Sequence, residues 1–214
     1  MRKFEEVLPT PSSTRLSARK DLPQSYTLAW QFDIRQKREI IVLNLMGALL
    51  LVLSWIGFSA LARWLRPDAA ISGTTIASGN LGQLLFFIGI VILATVVMLV
   101  VHEGFHGLFF WLFSHTRPRF AFKVFYAYAA APDWYFPRWQ YILIGLAPLV
   151  GISLLGVAAL AWLPMPWLVP TLLLLVFNTS GAVGDLWVVG RLLASPASTY
   201  IRDYGDKIEF YKPA

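Results

Sequence analysis

The sequence predicts an all-α polytopic membrane protein: four transmembrane helices, a small cytoplasmic β element, and both termini cytoplasmic. Three observations carry that prediction. Apolar residues make up 57% of the 214-residue chain and charged residues 14%, against about 25% charged in an ordinary soluble domain. The charge deficit is concentrated, because no Asp, Glu, Lys or Arg occurs from Ile40 to Ala62, from Ala69 to His102, or from Trp139 to Gly184. Finally, the cations are distributed unevenly between the segments that flank these runs.

Uncharged apolar runs of about 18 residues or more read as membrane-spanning helices. The first span covers about 40–62 and the second about 84–113. The third covers about 141–162 and the fourth about 168–193. Spans three and four are separated only by "LPMPW", a proline-rich break that makes them an antiparallel hairpin. The chain divides accordingly into an N-terminal arm (1–39), the membrane domain (40–193) and a C-terminal tail (194–214).

Lys and Arg number 8 before the first span, 2 after it, 4 after the second, 0 after the third and 4 at the end. The positive-inside rule then places both termini in the cytoplasm of a multi-pass cell-membrane protein. The net charge of +6 reads as anchoring to an anionic leaflet, not as a nucleic-acid footprint. Trp64, Trp139, Tyr141 and Trp162 sit at span ends, where aromatics form interfacial belts. The first 39 residues lack an apolar run, so the first span is expected to act as an uncleaved anchor. The absence of cysteine removes disulfides and thiolate chemistry.

Outside the spans, 1–24 reads as a flexible charged arm. Residues 119–128, "RFAFKVFYAY", alternate as a strand would, with Phe120, Phe122, Val124, Tyr126 and Tyr128 on one face. That strand is expected to receive an extended substrate by strand addition. The tail "DYGDKIEFYK" offers a turn and a second short strand, which is expected to share a sheet with the first.

The chemistry lies in "HEGFH", residues 102–106, inside the second span. The chain has only three histidines, and two of them are here, four apart, with a glutamate between. On a helix, positions four apart share a face, so His102 and His106 can direct nitrogens at one metal ion. Glu103 projects about 100° round from His102, within reach of a metal-bound water and suited to take its proton. The alternative, a pair of histidines bonding between helices, buries three polar side chains in a span where ionisable groups are rare and usually functional.

A third protein ligand is needed. The positions of a downstream glycine and third histidine hold Phe109 and Leu112 instead. The only later glutamate is Glu209, in the tail. His115 lies about half a turn round from the metal face, and Asp133 lies in a loop. Asp185 is the one charged residue in the interior of the fourth span, Arg191 lying at its end. It stands about as far from the cytoplasmic end as the two histidines do, at about 1.5 Å of rise per residue. A zinc ion held by His102, His106 and Asp185 accounts for all three. The competing roles for Asp185 are a salt bridge to Arg191, at a poor helical spacing, and a hydrogen bond between helices. Asn178, about two turns earlier, is a candidate to bind substrate backbone or the metal's water, or to bond between helices. Gly104, Gly107, Gly181 and Gly184 would let the two helices approach closely.

"HEGFH" late in one span, "LAPL" (146–149) early in the next and "NTSGAVGD" (178–185) in the last resemble the prokaryotic zincin metallopeptidases of the membrane. These are similar in turn to site-2 proteases, the intramembrane zinc metalloproteases. The resemblance covers most of 84–193 and, weakly, the tail "DYGDKIEFY". In site-2 proteases the corresponding Asn and Asp stand one residue further apart, with a Pro between them and a Gly after the Asp. Here no Pro intervenes and Leu186 follows. The resemblance implies zinc-dependent hydrolysis of peptide bonds within or at the membrane, in a peptide or membrane-protein substrate. Three other classes compete: a proton or ion path built from the same four side chains, a haem-binding membrane protein, against which the two histidines share one face of one helix, and a metal-binding scaffold without peptidase activity. The sequence leaves the oligomeric state open.

Overall fold

The structure is a computed structural model that describes residues 16–67, 80–123 and 127–214. Its elements in chain order are β1 (Tyr26–Asp33), α1 (Lys37–Leu65), α2 (Leu81–Ser114), β2 (Arg119–Phe122), β3 (Ala127–Ala130) and β4 (Tyr135–Pro137). They are followed by α3 (Arg138–Trp162), a 3-10 turn (Met165–Trp167), α4 (Leu168–Gly181), α5 (Val183–Leu193), β5 (Tyr200–Asp203) and β6 (Lys207–Pro213).

The protein is mostly helical. α1, α2 and α3 are each long and apolar enough to cross a membrane, and α4 with α5 makes a fourth candidate if the bent pair is one span. Their surfaces fit a lipid environment. Leu45, Phe86, Leu93 and Leu154 are all more than 60% exposed, an arrangement that in water would be an aggregation surface.

The fourth apolar stretch is not the single helix that its composition predicts. It bends by 44° between α4 and α5. The break follows Ser180 and Gly181, the kind of pair at which helices kink without proline. Its consequence is local. Asp185 falls in the first turn of α5, where unpaired N–H groups and the helix dipole favour a carboxylate.

Two small sheets lie at one end of the helices, where α1 and α3 begin and α2 and α5 end. One is four-stranded and antiparallel, in the order β1-β6-β5-β4. The other is the β2–β3 hairpin. The expected single strand over 119–128 is therefore a hairpin, in which Phe120 pairs with Ala129 and Phe122 with Ala127. Directly paired residues share a face, so Phe120 and Phe122 stand with Ala129 and Ala127, while Tyr128, opposite Ala121, faces the other way; the expected single face of Phe120, Phe122 and Tyr128 is corrected. Val124 and Tyr126 lie outside the described residues. The tail does form strands, but they pair with β1 and β4 and not with 119–122.

The expected flexible arm is also corrected where it is described; residues 1–15 lie outside the described residues. Arg19 exchanges backbone hydrogen bonds of 3.0 and 2.7 Å with Tyr135 of β4. Trp139 Nε1–H donates to the carbonyl of Leu16 at 2.8 Å, and the Arg19 guanidinium lies over the Tyr200 ring. Residues 26–33 then give β1, whose alternation of Tyr26, Leu28, Trp30 and Phe32 is broken by a bulge between Leu28 and Trp30.

The main core sits where the helices meet the four-stranded sheet. Phe110, Phe136, Ile144, Val188, Leu192, Ile201 and Phe210 are buried together there. Tyr141, expected in an interfacial belt, is buried, and its hydroxyl donates to Asp203 at the end of β5. Burial pushes the Asp203 carboxyl up to about 6, against the opposing pull of the Tyr141 and Gly205 hydrogen bonds.

Candidate metal centre

α2 carries His102, Glu103 and His106, all buried. Their four-residue spacing works as expected, setting the two rings on one face with centroids 5.0 Å apart. Each ring turns Nε2 toward Asp185. His102 Nε2 lies 3.2 Å from Oδ2, and His106 Nε2 lies 3.3 Å from Oδ1. Donor atoms of the three residues all lie within 4.8 Å of one another. Two ligands each about 2.0–2.1 Å from a tetrahedral zinc stand about 3.3 Å apart. The observed separations match that spacing.

The opposite nitrogens are tied down. His106 Nδ1–H donates to the carbonyl of Ile144 at 2.9 Å. A carbonyl can only accept, so the proton belongs on Nδ1 and the lone pair on Nε2. That carbonyl is free because of Pro148. In α3 the Ile144 oxygen would bond the N–H four residues on, and proline has none. The same reasoning fixes His102. Asn178 Nδ2 donates to the carbonyl of Pro148 at 3.3 Å, which turns Oδ1 toward His102 Nδ1 at 3.0 Å. His102 therefore also carries its proton on Nδ1. Two imidazole lone pairs and a carboxylate then face one another in a buried site, a grouping that needs a cation at its centre. Pro148→Ala would give the Ile144 oxygen a competing donor. Zinc affinity, read by competition with a chelator, is expected to fall about tenfold, in the range of outer-shell changes.

Glu103 points elsewhere. Its Oε2 accepts the N–H of Ala129 in β3 at 2.7 Å. The hairpin is thus fastened to the motif helix one residue from His102. A groove of about 1270 Å³ runs past these side chains, lined by Asn44 and Gly47 of α1, Thr95 and Met98 of α2, Ala127 and Ala129 of β3, and Asp203 of the tail.

The remaining candidates fall as follows. His115 caps the end of α2 in the left-handed conformation, φ 53°. Asp133 is exposed and paired with Arg119 at 2.6 Å. Arg191 lies over the Trp30 ring, so the salt bridge weighed for Asp185 is replaced by the two histidines. Asn178 is fully buried, with both ends of its amide engaged inside the protein. The expected glycine packing is corrected at Gly104 and Gly184, which have open space where a Cβ would stand, whereas a Cβ at Gly181 would meet Met98 of α2 in ordinary contact at 3.9 Å. Gly107 is closely approached, but by Phe120 of β2 and not by a helix. The close helix approaches are instead at Gly145, Gly151 and Gly156 of α3, against Val189, Phe105 and Leu175.

Residues 95–200 match a family model described as "Putative zincin peptidase". That match supports a zincin-like family. No curated protein and no solved structure matches the chain. The zincin-like segment contains His102, Glu103, His106, Pro148, Asn178 and Asp185, and supports a zinc metallopeptidase activity. It leaves out α1, Asp203 and the β5–β6 turn. The roles of Ile144 and Ala129 escape sequence reasoning because they act through backbone atoms. Pro148 was the available signal, since a proline inside an apolar helix frees one carbonyl four residues back.

Proposed function

We propose that this protein is a multi-pass membrane zinc metallopeptidase, resembling site-2 proteases, with both termini cytoplasmic. It hydrolyses peptide bonds of a membrane-associated or cytoplasm-facing protein. The observation that carries the reading is the convergence of two Nε2 lone pairs and the Asp185 carboxylate, with Glu103 on the next position of the same helix.

In this reading His102, His106 and Asp185 hold one zinc per chain. Zinc, when bound, supplies Lewis acidity and lowers the pKa of water. Glu103 takes the proton of the attacking water and returns it to the leaving amine. The Ala129 N–H holds Oε2 and so fixes the plane of the carboxylate, leaving Oε1 as the acceptor. Asn178 orients His102 and does not bind substrate. An extended substrate lies in the groove along β3, where the Ala129 N–H is already engaged by Glu103.

The test is the metal content of the full-length protein in detergent, wild type beside His102→Ala. About one zinc per chain in the wild type and none in the variant is the expected result. A well-folded wild type that takes up no zinc from ample supply removes the reading in favour of an ion path.

A further inference from the structure

The β5–β6 turn touches three walls of the groove. Tyr141 of α3 donates to Asp203, and Asp203 Oδ1 accepts the N–H of Gly205 at 2.6 Å. On the α1 side, Ile34 N–H donates to the carbonyl of Asp206 at 3.2 Å, and Arg35 lies 3.7 Å from the Asp206 carboxylate. On the hairpin side, Gly205 lies so close to the Tyr128 ring that a Cβ there would overlap it. Gly205 also has φ 92°, a conformation that L side chains rarely adopt. Both constraints require glycine here. Tyr128 directly precedes Ala129, whose N–H holds Glu103.

We propose that Gly205 is a positioning residue for Glu103. The turn is an abutment, anchored on α3 and on the start of α1, against which the Tyr128 ring rests. That contact sets how far β3 stands from α2, and so keeps the Ala129 N–H on Glu103 Oε2. The inference rests on the reading of Glu103 as the base. It extends the catalytic unit beyond the zincin-like segment, into the tail.

Hydrogen exchange at the backbone amides of 127–130 in the full-length protein tests it. Gly205→Ala is expected to raise exchange at Ala129 about tenfold or more, because opening there no longer has to break a held strand. Gly190→Ala, where a Cβ meets nothing within 4 Å, is expected to leave it unchanged. The effect of Gly205→Ala should vanish in a Glu103→Ala background, since the bond it protects is then already absent. Additive effects in the two backgrounds would reduce Gly205 to a purely structural role and overturn the proposal. So would unchanged exchange in a folded Gly205→Ala protein. If that variant does not fold, Tyr128→Ala probes the contact from the other side, with the same rise expected and the same reversal if exchange is unchanged. Zinc content is read in parallel. Its ligands lie on α2 and α5 and none is on the turn, so zinc is expected to remain in each of these variants that keeps His102, His106 and Asp185. A wild type without zinc overturns the peptidase reading itself, whatever the exchange rates.

Discussion

Asp185→Ala is expected to cost the protein its zinc while leaving the helices assembled. The prediction follows from where the carboxylate sits. Asp185 meets both Nε2 atoms within 3.3 Å, and it is the only one of the three from the second half of the chain. Without it His102 and His106 still present their lone pairs, held by Asn178 and Ile144. Two imidazoles make an incomplete site, however, and zinc in proteins is nearly always held by three or more protein ligands. The loss should therefore exceed the roughly 10–100-fold that an outer-shell change costs. Chelator competition on the purified protein reads it directly. Folding should survive, because the core residues beside Asp185, Val188 and Leu192, are untouched, and removing the carboxylate relieves a buried charge. An Asp185→Ala protein that binds zinc as tightly as the wild type would send the search for the third ligand elsewhere. His115 is poorly placed to replace it, being committed to the cap of α2.

The helices were legible because their signal is a matter of length. A stretch such as 40–62 without one charge has few other readings, and α1 extends it by only a few residues at each end. The bend after Gly181 was not legible. Ser-Gly in an apolar run is as compatible with a straight helix as with a broken one, and what distinguishes them is the packing of α5 on α3. The β elements were half legible for a related reason. Alternation in "RFAFKVFYAY" marks residues able to form strands, but period two is the same for one strand as for two arms of a hairpin. Which strand pairs with which depends on contacts distant in sequence, as with β1 and β6. Leu16–Arg19 look like an arm because the partners that order them, Tyr135 and Trp139, lie more than a hundred residues away.

The candidate site divides along a similar line. His102, Glu103 and His106 could be read from spacing on one helix. Asp185 could be read because a lone carboxylate in a span needs a partner at its own depth. The groups that aim these side chains were not legible in the same way. Ile144 contributes a carbonyl and Ala129 an amide, and neither side chain advertises it. Gly205 looks like an ordinary turn glycine until the Tyr128 ring is found against it. Asn178 was visible as a polar residue in a span, but its two roles separate only once the carbonyl of Pro148 is in place to fix the amide.

Glu103→Gln is expected to keep the zinc and lose the hydrolysis. The substitution preserves size and keeps a carbonyl oxygen that can accept the Ala129 N–H, so the hairpin stays where it is. None of the three proposed ligands changes, and zinc content should match the wild type. What is lost is the ability to take a proton from the attacking water. A positioned general base contributes about 10²–10⁴-fold to the rate, and cleavage by the variant should fall by that factor. Such a chain should also retain bound substrate long enough to capture it from membranes, which makes it the tool for finding what the protein cleaves. The pairing of results decides between function classes. A scaffold loses nothing on this substitution, because a structural zinc has no use for a base beside it. An ion path would change its transport and show no cleavage in either form. Only a metallopeptidase couples unchanged zinc to a rate that collapses with one carboxylate oxygen.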